Sequence, residues 1–333
     1  MSTQTCWIMS DGRRGIEIQC LALADALNLT PILKRIKPSY PWFFLPPSLC
    51  FKALCSVKNN PDPISPPWPD ILITCGRQSV AISAAIRQKS NNKTFTIHIQ
   101  DPKLNLNKFD VIVAPLHDNL NAPNVINALG SIHGINPEFL KQEGQKLNYL
   151  VEKLPKPHIS VIIGGISKHH DFSEKVFQTL IQDLKNLQQK YGGSLLLTPS
   201  RRTPTHYISK LKSELTDIPH YLWEGVDPNP YFGMIALSDF LIVTCDSVNM
   251  ATEAAASGKP LYIYHFDESP PKFLEFHQSL RDKGISRRFE GILENWHYEP
   301  LLEINRIADR IKEIYEKSQP QEAKTGIKVE QHK

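Results

Sequence analysis

No Cys-x-x-Cys pair occurs among the six cysteines of this 333-residue chain, and no histidine pair completes a zinc spacing. A structural zinc or a redox dithiol is therefore not expected, and no metal site is. Cys6, Cys20, Cys50, Cys55, Cys75 and Cys245 lie mostly in apolar runs, where a thiol serves as a small hydrophobe. That usage fits a reducing compartment. No run approaches the ~20 apolar residues needed to cross a bilayer. The opening "MSTQTCWIMSDGRRG" lacks the basic start and long apolar core of a secretory signal. The expectation is a cytoplasmic protein, at most peripheral on the inner face of a membrane. Net charge is only +4, and its basic residues are scattered rather than striped, which argues against nucleic acid. The small excess suits a phosphate-bearing ligand or an anionic membrane surface.

What is present reads as globular. Apolar residues make 41% and charged residues 22% of the chain, ordinary values for a folded protein. Only the polar end, "KSQPQEAKTGIKVEQHK", reads as disordered. The length exceeds the roughly 250–300 residues at which one core stops growing, so two domains are expected. Strand-like runs stand at "TCWIMS", "PILKRIK", "DILITC", "TFTIHIQ" and "DVIVAP", with helical spacing between several of them. The pattern restarts at "PHISVIIGG". A helix is predicted over 173–190, capped by Asp171 or Ser173. Then follow "GSLLLTPS", "THYISKLKSEL", "HYLWEG", "DFLIVTCDS", "VNMATEAAASG" and "PLYIYHF". Short buried strands alternating with helices mean an α/β protein with parallel sheets covered on both faces. Pro155 and Pro157 mark the join, giving domains 1–152 and 153–298 and a tail 318–333. A closing helix near 299–317 shows one apolar face, which is expected to pack back on the first domain.

One segment departs from the pattern. "YPWFFLPPSLCFKALCSVKNNPDPISPPWPD" is rich in proline and aromatics, with Lys52 and Lys58 beside apolar residues. It reads either as a long loop packed on its own domain or as an amphipathic lip at residues 40–57 for a membrane or a lipid-linked substrate.

Ligands of open parallel sheets bind beyond the carboxyl ends of the strands. Five turns fall there: "SDGRRG" (10–15), "CGRQS" (75–79), "GGISKHH" (164–170), "TPSRRTP" (198–204) and "CDSVNMATEA" (245–254). Gly164 and Gly165 would allow close backbone approach to a ligand, with Lys168, His169 and His170 near, or would simply make a tight turn. Ser200, Arg201 and Arg202 at a helix start suit a diphosphate, or form a solvated basic turn. Ser247 and Asn249 can cap a helix whose Glu253 could hold the two hydroxyls of a ribose, or could merely complement the helix dipole. His98 and Asp101 sit at the end of one strand, as core and turn residues or facing a ligand.

"SDGRRGIEIQ", "TPSRRTP", "NPYFGMIALSD" and "TCDSVNMATEAAASGKPLYI" together resemble the mitochondrial-fission ("elongated mitochondria") family, from about residue 5 to about 315. The layout is more distantly similar to GT-B glycosyltransferases, two Rossmann-like domains facing a cleft. That resemblance implies a nucleotide-sugar on the second domain, held by Gly164, Gly165, Ser200, Arg201, Arg202, Asp246, Ser247, Asn249 and Glu253. It implies an acceptor on the first, beside Gly12, Arg14, Gly15, Gln19 and Arg77. Ile16 stands where such turns commonly carry a polar residue, so Asp11 or Asp101 would act as base, or the chain would bind without catalysing. The expected activity is metal-independent sugar transfer, without a cofactor, to an acceptor such as a lipid-linked or envelope glycan. The alternative is a non-catalytic adaptor that recruits a partner to a membrane surface.

Overall fold

The computed structural model describes residues 4–319 apart from 168, 169, 227, 267 and 268. Lys168 and His169, and all of the expected tail past 319, lie outside the described residues. Two compact units emerge. The first comprises residues up to Ala128, the stretch Ile132–Gly134, and the chain from Glu303; the second comprises Leu129–Ser131 and Ile135–Leu302.

The first unit carries β1 (Cys6–Ser10), β2 (Pro31–Arg35), β3 (Ile71–Cys75), β4 (Phe95–Ile99), β5 (Val111–Pro115) and β6 (Val125–Ala128). They form one parallel sheet in the order β2-β1-β3-β4-β5-β6. Every residue of β1, β3 and β4 is buried, as parallel strands covered on both faces must be. Helices α1 (Arg14–Ala26) and α2 (Arg77–Lys89) follow β1 and β3. The last helix of the chain, α9 (Glu303–Ser318), inserts Ile307 and Ile311 into the core formed by Ile8, Leu23, Ile73 and Ile97.

The second unit carries β7 (His158–Ile163), β8 (Ser194–Pro199), β9 (His220–Leu222), β10 (Phe240–Thr244), β11 (Leu261–Tyr264) and β12 (Ser286–Arg288). Its sheet is also parallel, in the order β12-β11-β10-β7-β8-β9. Its helices are α3 (Pro137–Val151), α4 (Glu174–Tyr191), α5 (Thr205–Glu214), α6 (Tyr231–Leu237), α7 (Val248–Ala255) and α8 (Pro271–Asp282). Ser173 caps α4 by accepting from the Val176 amide.

The units divide before α3 rather than at the prolines 155 and 157. The reason is close helix packing. A methyl on Gly233 of α6 would fall 2.1 Å from Leu147 of α3, and one on Gly144 of α3 would fall 3.2 Å from Ala236. The pair packs backbone to side chain, so α3 belongs with the second core. Lys259 ties this region down: its buried ammonium donates to the carbonyls of Ala236 and Ser238 at the end of α6. Such a cation favours a helix C-terminus, and burial lowers its pKa to about 8.

Among the described residues no helix is long and apolar enough to cross a membrane, and no three His, Cys, Asp or Glu side chains cluster as metal ligands do.

Candidate functional site

Each sheet reverses its winding once. In the second unit β8 and β9 lie to one side of β7, while β10, β11 and β12 lie to the other. The carboxyl ends of β7 and β10 therefore flank a topological switch point, the place where open α/β sheets take ligands. Three of the expected turns end there or one strand away, after β7, β10 and β8.

These turns are locked to one another through Asp246. Its carboxylate, with no exposed side-chain surface, accepts from the Gly165 amide at 3.1 Å and the Thr244 hydroxyl at 2.7 Å. It also accepts from Nη2 of Arg202 at 2.6 Å. Thr244 Oγ1 in turn accepts from the Gly164 amide at 2.8 Å. Arg202 Nη1 donates to the Gly165 carbonyl at 3.3 Å, and the Ser200 amide donates to Ile163 O at 2.8 Å.

The glycines therefore serve a different end from the one expected. A methyl on Gly164 would lie 2.0 Å from Asp246 Oδ1, and one on Gly165 would lie 2.1 Å from the Arg202 carbonyl oxygen. Both are small so that neighbouring turns can interlock; the space over them is filled by protein rather than by a ligand. His170 is likewise a core residue, buried against Phe273 at a ring separation of 4.5 Å.

Around this lock sit groups that face solvent. Arg201 is exposed, and Arg202 keeps 38% of its side chain exposed. Ser247 caps α7 by accepting from the Met250 amide at 3.3 Å, and Asn249 is exposed on the first turn. The opening amides of a helix lack intrahelical acceptors and carry its positive dipole end, so they suit an anion.

Glu253 stands farther along α7. Burial raises its pKa to about 7, and the 2.7 Å hydrogen bond from the Tyr231 hydroxyl to Oε2 works against that rise. Burial and the neighbouring carboxylate push the Tyr231 pKa well above its usual value. Tyr231 therefore stays a donor and fixes one carboxylate oxygen; among the described residues no other hydrogen bond reaches the Glu253 carboxylate. His277, wholly buried, places Nε2 2.8 Å from the Cys245 carbonyl. Only a protonated nitrogen can satisfy that contact. Burial lowers the pKa of this histidine to about 4, so it supports the turn as a neutral ring.

The first unit repeats the plan with weaker ties. Its switch point lies between β1 and β3. Asp11 after β1 is gripped by Arg13, with Nε 3.0 Å from each carboxylate oxygen and Nη2 2.7 Å from Oδ2. Gly12 has φ +83°, a conformation that glycine adopts readily. Glu17, not predicted as a site residue, accepts from Ser10 at 2.9 Å and from Arg35 Nε at 2.8 Å. Those contacts lower its pKa, that from Arg35 most.

Several expected acceptor-side residues are engaged elsewhere. Arg77 donates to the carbonyls of Phe43 at 2.7 Å and Leu45 at 3.0 Å, so it anchors the aromatic segment. Gln19 is buried and reaches back to the Gly15 carbonyl at 3.1 Å. Asp101 receives the Lys103 amide at 2.8 Å and pairs with that residue's ammonium. His98 is a core residue: buried, 2.8 Å from the Thr74 hydroxyl, with its pKa lowered by burial to about 3. Arg14 and Gly15 are exposed at the start of α1.

Comparison with known proteins follows the same lines. The family model described as Mitochondrial fission ELM1 matches residues 14–315. Mitochondrial fission protein ELM1 of Arabidopsis thaliana is 32% identical over 271 residues, 73% of this chain and 63% of that one. The chain thus spans under two thirds of the plant protein's length. A Rickettsia prowazekii protein, RP120, is 28% identical over 92% of this chain and 97% of its own. Among solved structures, Acinetobacter baumannii MurG superposes with a TM-score of 0.52 at 11% identity, over 94% of this chain and 92% of that one. The UDP-GlcNAc 2-epimerase of Methanocaldococcus jannaschii, in complex with UDP-GlcNAc and UDP, gives 0.54 at 10%, over 93% and 99%. At such identities the likeness shows the fold, a GT-B-like pair of Rossmann-like units.

Proposed function

We propose that this chain, which belongs to the mitochondrial fission ELM1 family, binds a nucleotide-sugar on its second unit and transfers the sugar to an acceptor. The observation that carries the reading is Glu253. It is a carboxylate with one oxygen fixed by Tyr231, on the helix that opens at the β7/β10 switch point. Such a group accepts from the two hydroxyls of a ribose, while Arg201, Arg202 and the first amides of α7 take the diphosphate. The epimerase whose solved structure holds UDP-GlcNAc and UDP supports a donor of that class.

In the reaction an acceptor hydroxyl attacks the anomeric carbon. The new C–O bond forms as the bond to the diphosphate breaks. The departing charge is met by arginines and amides already in place. Asp11, on the first unit, takes the hydroxyl proton, and for that it must part from Arg13. A lipid-linked or envelope glycan is the acceptor class this reading assigns.

A second reading rests on that same contact. Asp11 and Asp101 are both ion-paired, and Ile16 is buried in the first turn of α1. A non-catalytic adaptor that recruits a partner to a membrane surface fits those facts.

A thermal-shift screen across nucleotides and nucleotide-sugars tests binding. Ligand at about 100 times its Kd adds roughly 2.7 kcal/mol, so a UDP-type ligand should raise the melting temperature by several degrees. No shift with any of them contradicts the transferase reading and, together with tight partner or liposome binding, favours the adaptor. Incubation of the shifting donor alone and then with lipid acceptors separates an epimerase, a transferase and a silent binder by product.

A further inference from the structure

We infer that a groove on the outer side of α2, in the first unit, takes an anionic phospholipid from a membrane surface. It holds the fatty chain against small apolar side chains and the phosphate against lysines. The inference stands whether the chain is a transferase or an adaptor.

The groove measures about 820 Å³ and runs between residues 47–55, α2 and the stretch 104–108. That is a ligand-sized volume. Its floor is apolar: Leu54, Ala81, Ala84, Ala85 and Leu104. Its rim carries Lys52, Lys89 and Lys108. All three are exposed, and none has an ion-pair partner among the described residues. No aspartate or glutamate lines the groove; Arg87, the remaining cation there, is bound to Asp110. The charge thus has one sign and no internal answer.

Beside the groove, the aromatic segment projects rings that a soluble surface gains nothing by exposing. Tyr40 is 79%, Phe44 69% and Phe51 76% exposed. They are held there rather than loose. The Trp42 indole donates to the Phe51 carbonyl at 2.8 Å, and Arg77 fixes the carbonyls of residues 43 and 45. Pro47, Ala53 and Val57 are buried beneath. Rings presented on a fixed scaffold beside unpaired lysines match a bilayer interface, where aromatics settle at headgroup level and cations meet anionic phosphate.

Sedimentation of the full chain with vesicles tests this. Binding is expected to vesicles of phosphatidylglycerol mixed with phosphatidylcholine, to weaken as salt is raised, and to be absent with phosphatidylcholine alone. A lysine near an anionic surface is worth about fivefold, so Lys52→Ala, Lys89→Ala and Lys108→Ala together should weaken binding about a hundredfold. Phe44→Ser with Phe51→Ser should release the protein at unchanged melting temperature. Ala84→Trp, which fills the groove and leaves every lysine, should also weaken binding; if it fails to fold, the exposed-site variants carry the test. Equal binding to neutral and anionic vesicles, or a triple lysine variant that binds like the parent, overturns the proposal. So does a folded parent that ignores vesicles, which would leave an acidic protein segment as the occupant.

Discussion

The two switch points of this protein are built to one plan and secured differently. Each places an aspartate beyond a central strand and pairs it with an arginine. In the first unit Asp11 pairs with Arg13, two residues away in the same turn. In the second, Asp246 pairs with Arg202, 44 residues away, after a different strand. The local pair organises one turn, and its arginine is 67% exposed. The distant pair ties three turns together around a carboxylate shielded from water. On the proposed reading, in which the second site presents amides and arginines to a diphosphate, the second kind of construction is the one expected, because preorganised donors need not rearrange when charge arrives.

Removing the carboxylates should expose this contrast most strongly. Asp246→Ala strands two donors and a guanidinium, and is expected to cost roughly 3 kcal/mol. Asp11→Ala should cost less than about 1 kcal/mol. Urea denaturation of the two variants checks the ordering, and equal losses would erase the distinction.

The glycines sharpen it further. Gly165→Ala meets the Arg202 backbone and should cost roughly 2–3 kcal/mol. Gly12→Ala has open space around it, and only its φ of +83° resists; roughly 1–2 kcal/mol is expected. Gly15→Ala has neither constraint and should be neutral or slightly stabilising in the same measurement.

A further test concerns pH. Glu253 has its folded pKa raised from 4.5 to about 7, so between those values the folded state holds a proton that the unfolded chain has lost. Its contribution is present below pH 4.5 and is lost as pH rises to 7. Glu253→Gln should therefore flatten stability across that window, and an unchanged pH profile would show that this carboxyl does not titrate as described. Nucleotide affinity should run the other way, rising as the carboxylate forms.

Much of this architecture is legible in the sequence. Buried β-branched runs such as "DFLIVT" and "HISVII" mark central parallel strands, and strand-turn-helix order located the turns at both switch points. The short β6 and β12 were missed. "VINA" is only four residues long, with its inward positions Ile126 and Ala128 separated by a polar Asn127, and "SRR" places two exposed arginines at a sheet edge. The α3 helix is absent from the sequence expectation, although Asn136 caps it and Leu140, Gly144, Leu147 and Val151 repeat at helical spacing. That signal could have moved the domain boundary. Side-chain pairings were not legible. Nothing in "SRRT" shows that Arg202 meets Asp246, nor in "NPYFG" that Tyr231 meets Glu253, because parallel crossovers bring together residues far apart in the chain. Arg77 was assigned to an acceptor for the same reason: its carbonyl partners lie more than 30 residues upstream.

Calorimetric titration of UDP into the parent, Glu253→Ala and Asp11→Ala proteins tests the central claim most directly. The account predicts saturable binding to the parent, a loss of about tenfold, or 1.4 kcal/mol, in Glu253→Ala, and unchanged affinity in Asp11→Ala. Binding that is indifferent to Glu253, or weakened only by Asp11→Ala, would contradict it.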